Sequence, residues 1–337
     1  MVRAARFSLI LVAALGGGAA AFSAASPQSA VRIVEQFGLS YLPLRVAVEH
    51  RLIEKHAASL GVPKPRVEVV QLSGPAASDA LISGSVDIAM SGTSAVINLW
   101  DKTLGHNTVR AMMAIADSPV YFNTIDPRIQ SIRDFTPSDR IAMVGGRGGF
   151  HSLLLEMAAA RAFGWDERTR LDSLAVSMSH PDGAIGLISG GAAFKTHLTT
   201  IPFIQMELAH PGVRTIVKSY DLTGGRHTFI LAYTAERWRN ENPKLYSATV
   251  AALTEAMELI KQDRKGAAEL YVRAEKSAIG ADEILKILND ENMIVFSPTP
   301  TKIGFFADFM MRTGLLKHKV TSWKDVFFEN VHSLPGS

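Results

Sequence analysis

Residues Arg140–Gly164 read RIAMVGGRGGFHSLLLEMAAARAFG. The apolar run Ile141–Val144 has the length of a short strand, and glycines at 145, 146, 148 and 149 end it. The residues from Leu153 to Phe163 are mostly strong helix formers, so we expect a helix there with Ser152 as its N-cap. A strand, a glycine loop and a helix in this order predict half of a βαβ unit.

The glycine loop in this stretch has two interpretations. Glycine adopts positive φ values and lets the backbone approach a ligand closely. The free N–H groups at the start of the following helix would also attract an anion. The loop is therefore either one wall of a site for a small polar or anionic molecule, or only a tight turn, because glycine loops open many α/β helices without touching a ligand.

On the N-terminal side of this stretch, four strand-like runs alternate with helical segments. The predicted strands are Val31–Phe37, Val67–Leu72, Val86–Met90 and Arg110–Ala116, and the predicted helices are Leu44–His56, Ala76–Ile82 and Ala95–Lys102. Short connections between such elements favour a mostly parallel sheet with helices on both faces. The loops after the strands are rich in Gly, Ser, Thr and Tyr, and they would converge at the carboxyl edge of the sheet, where open α/β sheets bind ligands.

On the C-terminal side, the same order of elements repeats. We predict strands at Arg170–Val176, Lys195–Thr200 and Val213–Lys218, and helices at Asp182–Ile188 and from Phe203 to about Ala209. Thr228–Thr234 is a last strand, and most of the chain after Glu236 has helical periodicity. The sequence thus predicts two units of alternating strands and helices, followed by a group of C-terminal helices.

Composition limits the class of protein. The chain has 337 residues, which favours two domains, and its 47% hydrophobic and 20% charged residues are typical of a globular protein. The formal net charge is +3, and Arg3 and Arg6 supply two of these charges. The remainder is nearly neutral, which argues against a nucleic-acid-binding surface. The chain has no cysteine, which excludes disulfides, thiolate metal sites and a cysteine nucleophile.

The first 26 residues have the pattern of a cleaved export signal. Arg3 and Arg6 form a charged start, Phe7–Ala21 is an apolar run, and Ala19–Ala21 and Ser23–Ala25 offer small residues for cleavage. The apolar run is short for a membrane span and contains glycines. We therefore expect a soluble protein of a bacterial periplasm, with an uncleaved N-terminal anchor as the alternative.

Four segments together resemble the periplasmic substrate-binding proteins of ABC importers, of the nitrate, sulfonate and taurine type. They are VRIVEQFGLSYLPLRVAVEHRLIEKH (31–56), ALISGSVDIAMSGTSAVINLWDK (80–102), SIRDFTPSDRIAMVGGRGGFHSLLLEMAAARAFG (131–164) and DGAIGLISGGAAFKTHLTTIPFIQMEL (182–208). Their order and spacing carry the resemblance, which extends from Val31 to about Phe328. The run GGAAFKTH (190–197) departs from the family, which often has an acidic and an aromatic residue there.

The resemblance implies an α/β, two-lobed periplasmic-binding-protein fold of type II, in which each lobe is a mostly parallel sheet flanked by helices. After the signal at 1–26, lobe 1 would contain residues 27–119 and 223–337, and lobe 2 would contain residues 120–222. The implied function is a receptor that binds a small molecule between the lobes and delivers it to an ABC permease in the inner membrane. We expect a monomer that has no cofactor, is not an enzyme and does not bind nucleic acid.

The ligand loops of the family correspond to six segments of this chain. Matched residue by residue, they give the candidate ligand-binding residues Ser40, Tyr41, Leu42, Ser73, Gly74, Gly92, Thr93, Ser94, Asp117, Ser118, Gly148, Gly149, Phe150, His151, His197 and Thr199. Tyr41 and Phe150 can cover a ligand or simply pack in the core. His151 and His197 can donate to a carboxylate or sulfonate, and they have no third residue at metal-ligand spacing, so no metal is expected.

The ligand and the competing functions stay open at this stage. A small organic anion is the preferred ligand, but the hydroxyl-rich loops also suit a neutral heterocycle. The same fold occurs in enzymes of pyrimidine and quinone biosynthesis, although the sequence has no HExxH, GxSxG or GxxxxGK[ST] motif. A periplasmic sensor domain is a third alternative, and the sequence does not separate it from an importer's receptor.

Overall fold

The computed structural model describes residues 30–62, 65–72, 74–191 and 193–337, whose strands form two sheets. The strands are β1 (Ala30–Glu35), β2 (Arg66–Gln71), β3 (Ile88–Gly92), β4 (Val109–Asp117), β5 (Tyr121–Thr124), β6 (Ile141–Met143), β7 (Ala175–Ser177), β8 (Thr196–Thr199), β9 (Arg214–Lys218), β10 (Thr228–Ala235) and β11 (Val295–Phe296). The first sheet has the order β11-β4-β10-β3-β1-β2, and the second has the order β7-β6-β8-β5-β9. The predicted export signal at 1–26 lies outside the described residues.

Most strands of each sheet run in one direction. In the first sheet β1 pairs in parallel with β2 and β3, and β10 is antiparallel to both β3 and β4, so β1 to β4 share one direction. In the second sheet β6 pairs in parallel with β7 and β8, while β5 is antiparallel to β8 and β9. This topology confirms the predicted α/β class with mostly parallel sheets.

The helices connect the strands and pack against the sheets. They are α1 (Leu42–Glu49), α2 (Leu52–Ser59), α3 (Ala76–Ile82), α4 (Thr93–Thr103), α5 (Phe150–Phe163), α6 (His180–Ser189), α7 (Phe203–Leu208), α8 (Ser219–Thr223), α9 (Glu236–Glu241), α10 (Pro243–Gln262), α11 (Arg264–Glu275), α12 (Ala281–Asn289) and α13 (Ile303–Arg312). Helix α10 packs against α1 and α2, so the C-terminal segment completes the first-sheet side. In the part of the chain that the structure describes, no helix has both the length and the apolar character needed to cross a membrane.

The chain passes twice between the two sheets. The first passage is 118–120, between β4 and β5, and the second is 219–227, between β9 and β10. The strands between these passages all belong to the second sheet, and β10 returns to the first. The predicted lobe boundaries at 119/120 and 222/223 fall within the passages and remain predictions.

One hydrophobic cluster extends through both sheets. It includes the completely buried side chains of Phe122 on β5, Tyr233 on β10 and Phe306 on α13. A smaller cluster of Ala142, Leu187 and Phe194 lies between β6 and α6 in the second sheet. Because burial of one large apolar side chain contributes about 1.5–3 kcal/mol, the larger cluster is the main source of stability that holds both sheets in place.

Some local predictions differ from the structure. Tyr121–Asn123 was not among the predicted strands but forms most of β5, because Tyr and Phe favour strands and the Phe122 ring fills the core. The predicted strand Arg170–Val176 is largely irregular, with a 3-10 turn at Asp172–Leu174, and β7 occupies only Ala175–Ser177. Strand β11 was not predicted, because two residues carry no periodicity.

Candidate functional site

A cavity of about 300 Å³ lies between the loops of the two sheets. On the first-sheet side it is lined by residues that follow β1 and β2, by the end of β3 and by residues along the length of α4. On the second-sheet side it is lined by residues 144–151 and by His180. The cavity therefore lies at the carboxyl edge of the parallel strands of both sheets, which is where open α/β sheets bind ligands.

The glycine loop after β6 forms the second-sheet wall of the cavity. Helix α5 begins at Phe150, and its N-cap is Gly149 in an extended conformation. A Cβ atom at Gly149 would lie 2.9 Å from the Gly146 carbonyl oxygen, so the turn requires a glycine there. Gly148 has a φ of +80°, which glycine adopts without strain. Ser152 is buried within the first turn, and its predicted capping role is wrong.

The N-termini of three helices meet at the cavity. Gly92 is the N-cap of α4, Gly149 is the N-cap of α5 and His180 is the first residue of α6, and all three line the cavity. In α5 the first intrahelical hydrogen bond runs from the Leu153 N–H to the Gly149 carbonyl, so the three preceding amides have no acceptor within the helix. Helix N-termini carry partial positive charge, and this arrangement favours an anionic group.

Charged side chains at the cavity have the same bias. Lys102, Arg147 and Asp79 line it, which gives two basic groups and one acidic group. The two basic residues lie on opposite sides of the cavity. Lys102 is on α4, which follows β3 of the first sheet, and Arg147 is in the glycine loop, which follows β6 of the second sheet. The lining is therefore positive by one charge, and it adds to the field of the helix N-termini.

Two buried polar atoms at the cavity lack a hydrogen-bond partner among the described residues. They are Ser94 Oγ, in the first turn of α4, and His151 Nε2, in the first turn of α5. Burial and the nearby His197 lower the pKa of His151 to about 3, so its ring is neutral at neutral pH. Because buried polar atoms are nearly always paired in folded proteins, both atoms are candidates for contact with a bound molecule.

Aromatic side chains form the apolar part of the wall. The ring centroid of Phe150 lies 5.1 Å from that of Phe229 and 5.0 Å from that of Phe306. Gly92 lies directly against this group, since a Cβ atom there would be 3.0 Å from the Phe150 Cβ. Tyr41 is 4% exposed, and burial raises the pKa of its hydroxyl well above the usual value, so it stays protonated. The cavity thus combines polar groups with an apolar surface, as small-molecule sites commonly do.

A row of buried polar side chains, the histidine row, continues from the cavity into the second sheet. It consists of His180, His197, Glu207 and Asn123. His180 Nδ1 lies 3.3 Å from His197 Nε2, and His197 Nδ1 lies 2.6 Å from Glu207 Oε1. Asn123 Nδ2 donates to Glu207 Oε2 at 2.9 Å. Within the described residues, no group of three or more His, Asp or Glu side chains has the arrangement of a metal site.

Helix α6 leaves room for the His197 ring at Gly183, where an added Cβ atom would lie 2.5 Å from His197 Nε2. We expect Gly183→Ala to lower the free energy of unfolding by about 1–3 kcal/mol, because the methyl group displaces a ring in a packed interior. Urea unfolding measures the change. The control is Gly304→Ala on α13, where nothing lies within 4 Å of the added Cβ. Equal stability of the two variants would show that the ring can move aside.

Half of the predicted candidate residues line the cavity. They are Tyr41, Gly74, Gly92, Ser94, Gly148, Gly149, Phe150 and His151. Three further candidates are buried away from its lining, and their hydroxyl oxygens have no partner among the described residues: Ser40, Ser118 and Thr199. Ser73 lies outside the described residues. The structure therefore brings together candidates from four of the six predicted segments.

The remaining candidates have structural partners. Thr93 Oγ1 donates to the Thr228 carbonyl at 2.8 Å, and Asp117 Oδ1 accepts from Thr228 Oγ1 at 2.8 Å. Burial raises the pKa of Asp117 above its usual value. Leu42 is completely buried in the core, and His197 belongs to the histidine row. These four residues do not line the cavity.

Several cavity residues were not among the predicted ones, including Gln36, Ser91, Asn98, His180 and Phe229. Gln36, which follows β1, connects the loop after β2 to the end of β3. Its Nε2 donates to Ser91 Oγ at 2.8 Å, and its Oε1 accepts from the Gly74 N–H at 3.2 Å. Sequence reasoning missed Gln36 because it is the first residue after β1 and was assigned to the strand.

His180 was missed because α6 was predicted to begin at Asp182. The helix begins two residues earlier, and the Ser179 hydroxyl accepts a hydrogen bond from the Asp182 N–H as its N-cap. Pro181 follows in the first turn, a common place for proline. A serine followed two residues later by a proline could have located this helix start, and with it His180 at the carboxyl edge of the sheet.

Comparisons with known proteins give similarity in structure only. No protein-family model matches the chain, and no curated protein sequence matches it. The alkanesulfonate-binding protein SsuA from Xanthomonas axonopodis pv. citri, bound to MOPS, is 17% identical with a TM-score of 0.67, over 90% of this chain and 99% of that chain. The periplasmic aliphatic sulphonate-binding protein SsuA from Escherichia coli is 19% identical with a TM-score of 0.64, over 90% and 93% of the two chains.

A third similar structure is the periplasmic nitrate-binding protein NrtA from Synechocystis PCC 6803. It is 15% identical with a TM-score of 0.69, over 89% of this chain and 85% of that chain. These similarities extend over nearly all of the described residues. They confirm the predicted periplasmic-binding-protein fold.

Proposed function

We propose that the chain is a periplasmic solute receptor that binds a small organic anion, of the sulfonate or carboxylate type, and delivers it to an ABC permease in the inner membrane. The observation that carries this proposal is the pair of unpartnered buried atoms at one cavity, Ser94 Oγ and His151 Nε2. They lie in the first turns of α4 and α5, two helices that follow strands of different sheets. Polar groups from two sheets that converge on one small volume suit a ligand held between two lobes.

The chemistry of the lining supports an anion with an apolar part. Three helix N-termini and an excess of one basic side chain favour negative charge in the cavity. The rings of Phe150 and Phe229 offer an apolar surface to the rest of the molecule. A volume of about 300 Å³ is at the small end of ligand pockets, so the ligand has few heavy atoms.

Contacts between the two sides support a mechanism of closure around the ligand. The Leu39 N–H donates to the Ile201 carbonyl at 3.1 Å, which joins the segment after β1 to the segment after β8. Gly74 on one side and Gly145 on the other approach each other closely, since a Cβ atom at Gly74 would lie 3.7 Å from the Gly145 Cα. A ligand that contacts both sides binds the closed form more tightly, so it shifts the population toward that form. The closed form is then the one that a permease would recognise.

The similar structures support the ligand class and the compartment. SsuA is described as an alkanesulfonate-binding protein and NrtA as a nitrate-binding protein, and both descriptions concern small anions. The predicted export signal at 1–26 agrees with a periplasmic location. If cells that lack the protein still import the anion as fast as cells that contain it, delivery to a permease would be contradicted.

We expect the purified mature protein to bind butanesulfonate or benzoate. A ligand present at 1,000 times its Kd stabilises the folded state by about 4 kcal/mol, which a thermal-shift assay detects and calorimetry quantifies. Nitrate and cytosine test the inorganic and the neutral heterocyclic alternatives, and butanesulfonamide is a neutral control of the same shape as butanesulfonate. Stabilisation by cytosine alone, or by none of the anions, would contradict the proposal.

A further inference from the structure

The histidine row connects the cavity to a carboxyl group in the interior of the second sheet. Glu207, His197 and Asn123 have no exposed surface. Among the described residues, His197 is the titratable side chain that pairs with Glu207, and the other partner is the neutral amide of Asn123. A buried carboxylate without a compensating positive charge is strongly disfavoured. A Glu207–His197 pair that is electrically neutral as a unit avoids this cost.

A neutral pair exists in two forms. In the first form, an imidazolium at His197 faces a carboxylate at Glu207, and both ring nitrogens carry hydrogen. In the second form, a protonated Glu207 donates to His197 Nδ1, and the ring hydrogen is then on Nε2. His197 Nε2 carries hydrogen in both forms. The alternative tautomer, with hydrogen on Nδ1 alone, gives the Glu207 carboxylate two hydrogen bonds but no compensating positive charge.

The position of this hydrogen sets the tautomer of His180. In a neutral pair His197 Nε2 carries hydrogen and donates to His180 Nδ1 across 3.3 Å. Burial, together with the neighbouring His151 and His197, lowers the pKa of His180 well below its ordinary value, so the ring is neutral. A neutral imidazole that accepts at Nδ1 has its own hydrogen on Nε2. His180 lines the cavity, and its Nε2 has no hydrogen-bond partner among the described residues.

We propose that the Glu207–His197 pair is a positioning element that fixes His180 as an Nε2–H donor toward the ligand, and so makes the cavity select an anionic oxygen over a neutral group of the same shape. The proposal deepens the receptor function proposed above and rests on it. Two further observations agree with it. The His151 ring lies beside His180, 4.9 Å away between centroids, with its own Nε2 unpartnered within the described residues. Gly183 provides the space that the His197 ring needs beside His180.

The tautomer of His180 is measured directly and without any ligand. Long-range proton–nitrogen NMR of the 15N-labelled full-length mature protein distinguishes the two neutral tautomers and the imidazolium of each histidine. The His180 resonances are assigned from their loss in His180→Gln. The expected result at about pH 7.5 is a neutral ring with hydrogen on Nε2. A ring with hydrogen on Nδ1, or an equal mixture of tautomers, overturns the proposal.

Binding tests the consequence with a matched pair of variants. Glu207→Gln and Glu207→Gln/His197→Phe both lack the buried carboxyl group, so neither contains an uncompensated charge. In the single variant the glutamine amide donates to His197 Nδ1, which keeps hydrogen on Nε2. In the double variant residue 197 donates nothing to His180. We expect the double variant to bind butanesulfonate about tenfold or more weakly than the single variant, because a hydrogen bond to a charged group is lost.

Selectivity separates positioning from packing. The ratio of butanesulfonate affinity to butanesulfonamide affinity is expected to fall in the double variant relative to the single variant. Equal losses for both ligands, or equal sulfonate affinity in both variants, overturn the proposal. If the wild-type protein binds none of the anions, the receptor function fails, and the NMR result alone decides whether the pair fixes the tautomer.

Discussion

Ser94→Asp is expected to weaken the binding of butanesulfonate about 100-fold or more. Ser94 is completely buried in the first turn of α4. It lines the cavity, and its Oγ has no hydrogen-bond partner among the described residues. A carboxylate there would lie next to the negative group of the ligand. Two like charges about 4 Å apart repel by about 4 kcal/mol at an effective dielectric constant of about 20, which exceeds a hundredfold change in affinity.

The control for this prediction is Ser94→Asn, which has the shape of aspartate without its charge. We expect it to lose about tenfold in affinity at most, since it replaces one hydrogen bond and fills a little space. Thermal unfolding of both variants checks the fold, and a carboxylate in a first helical turn is favourable to the helix. If calorimetry gives the same affinity for the two variants, charge at residue 94 does not contact the ligand.

His227→Phe is expected to remove the part of the fold's acid sensitivity that comes from one buried histidine. His227 has no exposed surface, its Nε2 lies 2.9 Å from Ser219 Oγ, and its ring packs against Phe150 and Phe306. Burial is the main cause that lowers the pKa of His227 from 6.5 to about 3. The folded protein therefore keeps this ring neutral down to about pH 3, whereas the unfolded chain protonates it below about pH 6.5.

The sign of the effect follows from this difference. Between about pH 6.5 and 3 the unfolded state binds one more proton at His227, so the stability that the neutral ring contributes falls as the pH falls. The loss is about 1.4 kcal/mol per pH unit, or about 3 kcal/mol between pH 6.5 and 4.5. Phenylalanine does not titrate, so the stability of His227→Phe relative to the wild type should rise by this amount over the same range.

Urea unfolding at several values between about pH 7.5 and 4.5 measures this difference. Other titrating groups occur in both proteins and cancel in the comparison. The exposed His106→Phe serves as the control for removal of a histidine as such. A difference between His227→Phe and the wild type that stays constant from about pH 6.5 to 4.5 would show that His227 is protonated in the folded state.

The architecture was predictable because its determinants are local. Gly145 and Gly148 have φ values of +82° and +80°, and such turns need glycine wherever they occur in a fold. Helix Ala76–Ile82 was predicted with the bounds that the structure has, because a loop with Gly74 and Pro75 precedes it and Ser83-Gly84 ends it. Strand β5 was missed because its main determinant, the burial of Phe122, comes from residues distant in sequence.

The lining of the site was predictable only in part, because it depends on rotation about each helix. Thr93 and Ser94 are neighbours in the first turn of α4, and both were candidates. The helix turns by about 100° per residue, so Ser94 lines the cavity while the Thr93 hydroxyl donates to the Thr228 carbonyl. The packing of neighbouring elements has a similar effect. His197 on β8 and His180 on α6 lie side by side, but of these two only His180 lines the cavity. No local pattern determines these directions.

Strand β10 lies between β3 and β4 in the first sheet. A chain that emerges from a ribosome or a translocation pore with its N-terminus first presents β3 and β4 long before residue 228 arrives to fill the gap between them. The strands of the second sheet are complete by residue 218 and need no later segment. The inserted unit can thus finish folding while the earlier strands still have open edges, the kind of intermediate that aggregates and that molecular chaperones protect.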